Sequence, residues 1–310
     1  MIPWLETLGV AALAAAGWLL GRWFSRRPGR WWLAGYILPA VMLALYGVAR
    51  HNSQLEFVPP VSWLLAGRTE FALAGFIVTL ILITPLSRLK QANQRRAVAA
   101  FAVFLVLIGS LWPFLAPAFN RGLQSSLQTQ LDADGVCRQS TEYNCGPAAA
   151  VTALRRMGLP AEEGDIAILA HTSTAIGTPP DLLVAAILKR FGPLGVRAEY
   201  RHFRTVAELR NAGVVVVVMK FALLTDHYVT ILDVDDQRVT VGDPWRGKQV
   251  YSAAEFARVW RFTGIVLWRD RTAYGFEGDS SSPIFCQNLY CHPAEYTLES
   301  FWSNGSFPVE

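Results

Sequence analysis

The chain has 310 residues, a formal net charge of +4, a hydrophobic fraction of 52% and a mean hydropathy of +0.28. That apolar excess, concentrated before residue 120, excludes an ordinary soluble protein, although the length leaves room for about two domains. Basic residues in the first third lie beside apolar runs and no nucleic-acid motif accompanies them, so they read as determinants of membrane orientation rather than phosphate contacts.

Trp4 to Leu20 is an apolar run followed by Arg22, edged by Trp4, Trp18 and Trp23. With its flanks it reaches the length of about 20 residues that a spanning helix needs. The one charge near its start is Glu6, where a signal peptide would carry positive charge, so an uncleaved helix is expected. The basic stretch Arg22, Arg26, Arg27 and Arg30 leads to a second run, Trp31 to Ala49. From Arg50 to Glu70 polar positions mix with a short apolar piece, Phe57 to Ala66, which is broken by Pro59 and Pro60, too short to span, and read as an interfacial loop. Phe71 to Leu86 is the third run, and Arg88, Lys90, Arg95 and Arg96 precede the fourth, Ala97 to Phe119. None shows the polar face that a helix of a soluble bundle would need, so residues 1–119 are expected to form an all-α membrane domain of four helices.

A polar linker, residues 120–135, separates this part from a domain of mixed composition over residues 136–270. Cys145 opens its first helix: Pro147 suits the first turn, the alanines favour helix, and Gly158 stops it. A thiolate at such a helix start faces unpaired backbone N–H groups. A short helix near Ala161 to Ala170 and another opening at Pro179, Pro180 and Asp181 and closing at Gly192 are followed by a brief helix around Val206 to Asn211. The five valines within Gly213 to Met219 predict a strand buried on both faces, at the sheet centre. HYVTILDVDD, RVTVGDP and RGKQVYS then alternate as hairpin-linked strands, before a helix from Ala253 to Trp260 and a last strand from Thr263 to Trp268. The fold class is therefore α+β, with a nucleophile-bearing helix on an antiparallel sheet. Residues 271–310 have no clear period and read as an irregular extension, in which Cys286 and Cys291 are expected to form a local disulfide, since no fourth metal ligand accompanies them and His292.

Thiol peptidase chemistry needs a thiolate, an imidazole that shares and returns the proton, a group that orients the imidazole, and oxyanion donors. Cys145, His227 at the start of one strand, Asp243 at the end of the next, and Gln139 six residues before the cysteine supply one of each. Taken alone, Asp243 would equally serve as a turn cap and Asp226 and Asp233 as solvated strand-flanking residues, while Cys137 is unassigned. The other histidines, His51, His171, His202 and His292, read as surface or hydrogen-bonded groups.

Gln139 with its step to Cys145-Gly146-Pro147, the later GT-P-DLL, D-HYV-IL and GDPW-G segments, and the closing strand resemble the papain-like bacteriocin-processing (double-glycine leader) cysteine peptidases, family thirty-nine of the cysteine peptidases, over about Val136 to Trp268. The resemblance implies a papain-like fold, Cys145 as nucleophile, His227 as general base and acid, Asp243 as orienter, Gln139 with the Cys145 backbone N–H as oxyanion donors, and no cofactor or metal. Members fused to ATP-binding transporters carry a GxxxxGK[ST] loop; none occurs here, so no ATP is expected to be bound. The function read from the chain is a membrane-anchored cysteine peptidase acting on peptides or proteins, with a catalytically silent peptide-binding module or a thiol amidase or acyltransferase as alternatives. Its partners are a peptide or protein substrate and the lipid bilayer, and no nucleic acid. Basic loops one and three stay inside, which in a bacterial inner membrane would leave the peptidase domain extracytoplasmic and its substrates already exported.

Overall fold

The computed structural model describes residues 3–59, 61–62, 68–221 and 225–269. The described residues belong to one compact unit.

The chain begins with α1 (Pro3–Ser25), a 3-10 segment Trp31–Tyr36, α2 (Ile37–His51), a 3-10 turn Ser53–Phe57, α3 (Thr69–Ile83) and α4 (Ala92–Val106). A π turn, Leu107–Leu111, joins α4 to α5 (Trp112–Ser125). Four helical stretches, Thr7–Ser25, Trp31–Ala49, Thr69–Arg88 and Ala92–Gly122, are long and apolar enough to cross a membrane. Large side chains such as Leu19, Ile37, Leu45, Phe101 and Ile108 point outward from them. In water such a surface would be costly; in lipid it is the solvated face. α1 and α3 run parallel in close contact. A Cβ on Gly17 would lie 2.3 Å from Thr79 Oγ1 and 2.5 Å from the Phe76 carbonyl oxygen, so only glycine permits this approach. Thr79 returns its hydroxyl to the Gly75 carbonyl (2.9 Å) and Thr84 its own to Leu80 (2.6 Å), leaving neither buried hydroxyl unpaired.

α5 continues past the expected end at Phe119, through residues read as a polar linker, to Ser125. The polar side chains there have partners: Asn120 Nδ2 donates to Thr174 Oγ1 (3.1 Å) and the buried Gln124 Nε2 to the Thr172 carbonyl (2.8 Å). Arg68 donates to the His171 carbonyl and lies over the Phe114 ring, and Tyr200 donates to Glu56 (3.1 Å). These bonds join the helical part to the remainder.

After a short ladder of β1 (Gln130–Leu131) and β2 (Cys137–Arg138) come α6 (Cys145–Arg156), α7 (Glu163–Leu169) and α8 (Pro180–Phe191). The main sheet comprises β3 (Val196–His202), β4 (Val214–Lys220), β5 (Asp226–Val234), β6 (Arg238–Asp243), β7 (Gly247–Ser252) and β8 (Trp260–Arg269), and α9 (Ala253–Val259) precedes β8. It is antiparallel throughout, in the order β3-β8-β4-β5-β6-β7. The valine strand is interior, as its sequence predicts. Val216 and Val218 pack toward α6 and α8, while Val215, Val217 and Met219 meet Phe203, Phe256 and Trp260 on the other face. β3 was not expected: Arg197 and Glu199 are exposed, Val196 and Ala198 are buried, and so half-polar an edge strand gives little periodic signal.

α6 is buried around its whole girth, with Gly146 through Leu154 all inaccessible. Its run of small side chains lets sheet and helices close on it, and Thr230 Oγ1 on β5 donates to the Ala149 carbonyl (2.7 Å). The helix is thereby fixed against the strand that carries His227.

Candidate active site

Cys145 is the first residue of α6, preceded by Asn144, whose side chain does not cap the helix. The first-turn N–H groups therefore point at the region of the thiol, where they favour negative charge. His227 is the second residue of β5 and Asp243 the last of β6; their side chains are 12% and 8% exposed, and His227 Nε2 lies 2.7 Å from Asp243 Oδ1. With Nε2 so engaged, Nδ1 is the nitrogen left for the cysteine, and Cys145 is near enough to act on the His227 pKa.

The carboxylate is held from behind. Asp243 Oδ1 also accepts the N–H groups of Trp245 (2.8 Å) and Arg246 (3.3 Å), in a turn closed by Gly247 at φ +81°. Pro244, in the same turn, accepts the Gln139 backbone N–H (3.0 Å), tying the stretch before Cys145 to the turn beside Asp243.

Burial pushes the His227 imidazole down, but the hydrogen bond to Asp243 and the nearness of Cys145 outweigh it and raise the pKa to about 9. Burial likewise pushes Asp243 up, and the His227 contact with the two turn N–H groups reverses this, holding the carboxyl below its ordinary value. The arrangement favours an imidazolium beside the Asp243 carboxylate. Cys137, the other free cysteine among the described residues, is fully buried and pushed up to about 12, chiefly by burial and then by Glu163, so it is no rival nucleophile.

Gln139 Nε2 donates to the Thr141 carbonyl (2.8 Å), and its Oε1 is buried without a partner. One amide N–H remains beyond that bond. Asp226, expected to be solvated, pairs with Arg261 (2.9 Å). Sequence reasoning missed Glu163, a fully buried carboxylate on α7 that accepts the Ser140 backbone N–H (3.0 Å) and hydroxyl (2.7 Å) and so pins the segment between Gln139 and Cys145. Nothing in its EEGD context distinguishes it from a surface glutamate. Also missed was the half-exposed pair Phe221 and Trp245, whose rings lie 5.4 Å apart, with Phe221 5.7 Å from the His227 ring. Among the described residues no group of three His, Cys, Asp or Glu side chains is arranged to hold a metal ion. Cys286, Cys291 and His292 lie outside the described residues.

Residues 134–273 match the family model of the Peptidase C39 family. Over 145 residues the chain is 34% identical to an uncharacterized protein of Methanothermobacter marburgensis, covering 47% of this chain and 94% of that one. It is 30% identical over 133 residues to the probable functional amyloid protease FapD of Pseudomonas aeruginosa, covering 42% of this chain and 57% of that protein. Among solved structures, a double glycine motif protease from an AMS/PCAT transporter, in complex with the leader peptide, is 14% identical with a TM-score of 0.38, covering 47% of this chain and 96% of that one. The peptidase domain of Streptococcus ComA is 19% identical with a TM-score of 0.38, covering 43% and 96%.

Proposed function

The chain belongs to the Peptidase C39 family, and from that membership we propose that it is a membrane-anchored cysteine peptidase in which Cys145, His227, Asp243 and Gln139 carry the chemistry. The observation that supports this most is the His227–Asp243 pair, 2.7 Å apart on β5 and β6, with Cys145 at the start of α6 among the neighbours that raise the imidazole pKa to about 9.

In this reading the Cys145 thiolate attacks the scissile carbonyl. The oxyanion that forms is met by the Cys145 backbone N–H and the remaining amide N–H of Gln139. The His227 imidazolium then gives its proton to the departing amine, leaving an acyl-enzyme. Neutral His227 next takes a proton from water, the hydroxide adds to the thioester, and its collapse releases the acid, after which thiolate and imidazolium are restored. Asp243, anchored by two turn N–H groups, keeps the ring oriented through both steps.

The outward-facing apolar side chains of the four spans support anchoring in a membrane. We assign the chain to a bacterial inner membrane with residues 136–270 as an extracytoplasmic peptidase domain, so that its substrates are peptides or proteins already exported. N-terminal proteomics of cells carrying wild type or Cys145→Ala tests the activity. At least one new terminus present with wild type and absent from the variant is expected; identical termini, with both proteins present at equal amounts, would overturn the peptidase assignment.

A further inference from the structure

The residues that share a cavity with Cys145 come from both halves of the chain. Its volume is about 750 Å³, and alongside Cys145, Tyr143 and Thr178 it is lined by Glu56 and Phe57 of the 3-10 turn after α2 and by Glu70 and Phe71 of the first turn of α3. That volume is of the size of small-ligand sites, about 300–1,000 Å³, and admits a few residues of extended peptide.

The wall from the helical half is fastened in place. The Phe57 ring packs on Tyr200 (centroids 5.1 Å apart) and edge-on to His202 (6.2 Å), while Glu56 accepts the Tyr200 hydroxyl (3.1 Å) and Glu70 the Tyr46 hydroxyl (2.9 Å). The lining is also lopsided in charge. Among the described lining side chains, Glu142 and Asp181 stand beside the Glu56–Tyr200, Glu70–Tyr46 and Asp226–Arg261 contacts, so the carboxylates outnumber the guanidinium of Arg261. A recess of one sign beside a nucleophile draws substrate segments of the other sign, because low-dielectric walls concentrate the field.

Resting on the peptidase reading, we propose that the 3-10 turn after α2 and the first turn of α3 form part of the substrate cleft, and that the cavity takes a peptide segment carrying a lysine or arginine side chain next to the scissile bond. The helical part then selects substrate as well as anchoring the enzyme.

The test uses full-length Cys145→Ala protein in nanodiscs of phosphatidylcholine, which adds no net surface charge, and fluorescent peptides of equal length bearing lysine, glutamine or glutamate at one position. Lysine peptides are expected to bind at least about tenfold more tightly than glutamine peptides at low ionic strength, where charges are least screened. The preference should shrink toward parity in Glu56→Gln, which keeps an acceptor for Tyr200, and in a Glu142→Gln, Asp181→Asn double variant. Equal binding of all three peptides, no binding of any, or a lysine preference that survives every substitution overturns the proposal. Hydrolysis of the same peptides by wild type separates the two ideas. Charge-selective binding without cleavage removes the peptidase reading and leaves the cleft; Cys145-dependent cleavage indifferent to charge does the reverse.

Discussion

Asp243→Asn isolates the charge of the residue behind the histidine. Asparagine keeps an oxygen for the imidazole N–H and for the Trp245 and Arg246 N–H groups that Asp243 now accepts, so the turn and ring orientation persist while the carboxylate is lost. His227 titrates at about 9 against an ordinary 6.5, a gap worth about 3 kcal/mol in favour of the folded imidazolium at roughly 1.4 kcal/mol per pH unit. Two neighbours, Asp243 and Cys145, oppose the burial that pushes it down. An opposite charge at this range moves a pKa by about 1–3, so removing one of the two should lower the midpoint by about 1–2. The signal of ¹³Cε1-labelled His227, assigned by its loss in His227→Gln, reports that midpoint without any substrate. The upper limb of kcat/KM, where the general acid is lost, should fall with it, both values belonging to the coupled pair. The sign for stability follows: because the folded pKa is raised, the contribution is complete below about 6.5 and disappears as pH rises through about 9. Wild type should therefore lose stability between neutral pH and pH ~10, and Asp243→Asn should lose less over that window. A His227 midpoint unchanged in Asp243→Asn would refute the assignment of its raised pKa to this carboxylate.

Gln139→Ala should lower kcat by about 10² to 10³ if its free N–H meets the oxyanion; unchanged turnover removes it from the mechanism. Iodoacetamide at neutral pH should label Cys145 rapidly and leave Cys137 untouched until the protein is denatured, because Cys137 is inaccessible and its thiol is held protonated to about pH 12; peptide mapping that finds Cys137 modified in the native state contradicts this. Glu163→Gln turns one acceptor toward Ser140 into a donor, and should cost about 1–3 kcal/mol of stability together with activity; a variant with wild-type Tm and turnover would show that the pinning of this segment is dispensable.

Much of the fold was legible because its signals are local. Four apolar runs without polar faces, five successive valines and the Pro179-Pro180-Asp181 start each announce an element by composition and period. The nearness of His227 and Asp243 was legible for another reason: they sit on β5 and β6, joined by a short hairpin, so sequence proximity nearly fixes their spatial proximity. What escaped depends on contacts between distant segments. β3 is stabilised by pairing along β8 rather than by its own pattern. Glu163 matters only because Ser140 folds against it. The polar residues at the end of α5 resemble a linker until Thr172 and Thr174 are seen to receive them. The place of Glu56 and Phe57 beside Cys145 required the whole of both halves, since Phe57 and Tyr200 are far apart in sequence and meet only in the tertiary structure.

The proposed membrane orientation rests on where the charges gather. Ser87 donates its backbone N–H to Ser25 Oγ (2.7 Å) and Arg88 bonds to the Arg27 carbonyl, so the loops carrying Arg26, Arg27 and Arg30 and carrying Arg88 and Lys90 meet at one end of the parallel pair α1 and α3. The other end of α3, at Glu70 and Phe71, borders the cavity of Cys145. The 20 residues from Thr69 to Arg88 correspond to about 30 Å of helix, the thickness of a bilayer core. The basic loops and the candidate site thus sit at opposite ends of one span. Short loops rich in Arg and Lys are retained in the cytoplasm, which supports a peptidase domain facing outward without relying on a count of spans. Alkaline phosphatase fused after Glu310 should then be active, since it folds only where disulfides form, and a cysteine engineered at Ser87 should resist a membrane-impermeant maleimide added to intact cells. Inactive phosphatase fusions together with labelling at position 87 would turn the protein over, and its substrates would have to be sought in the cytoplasm.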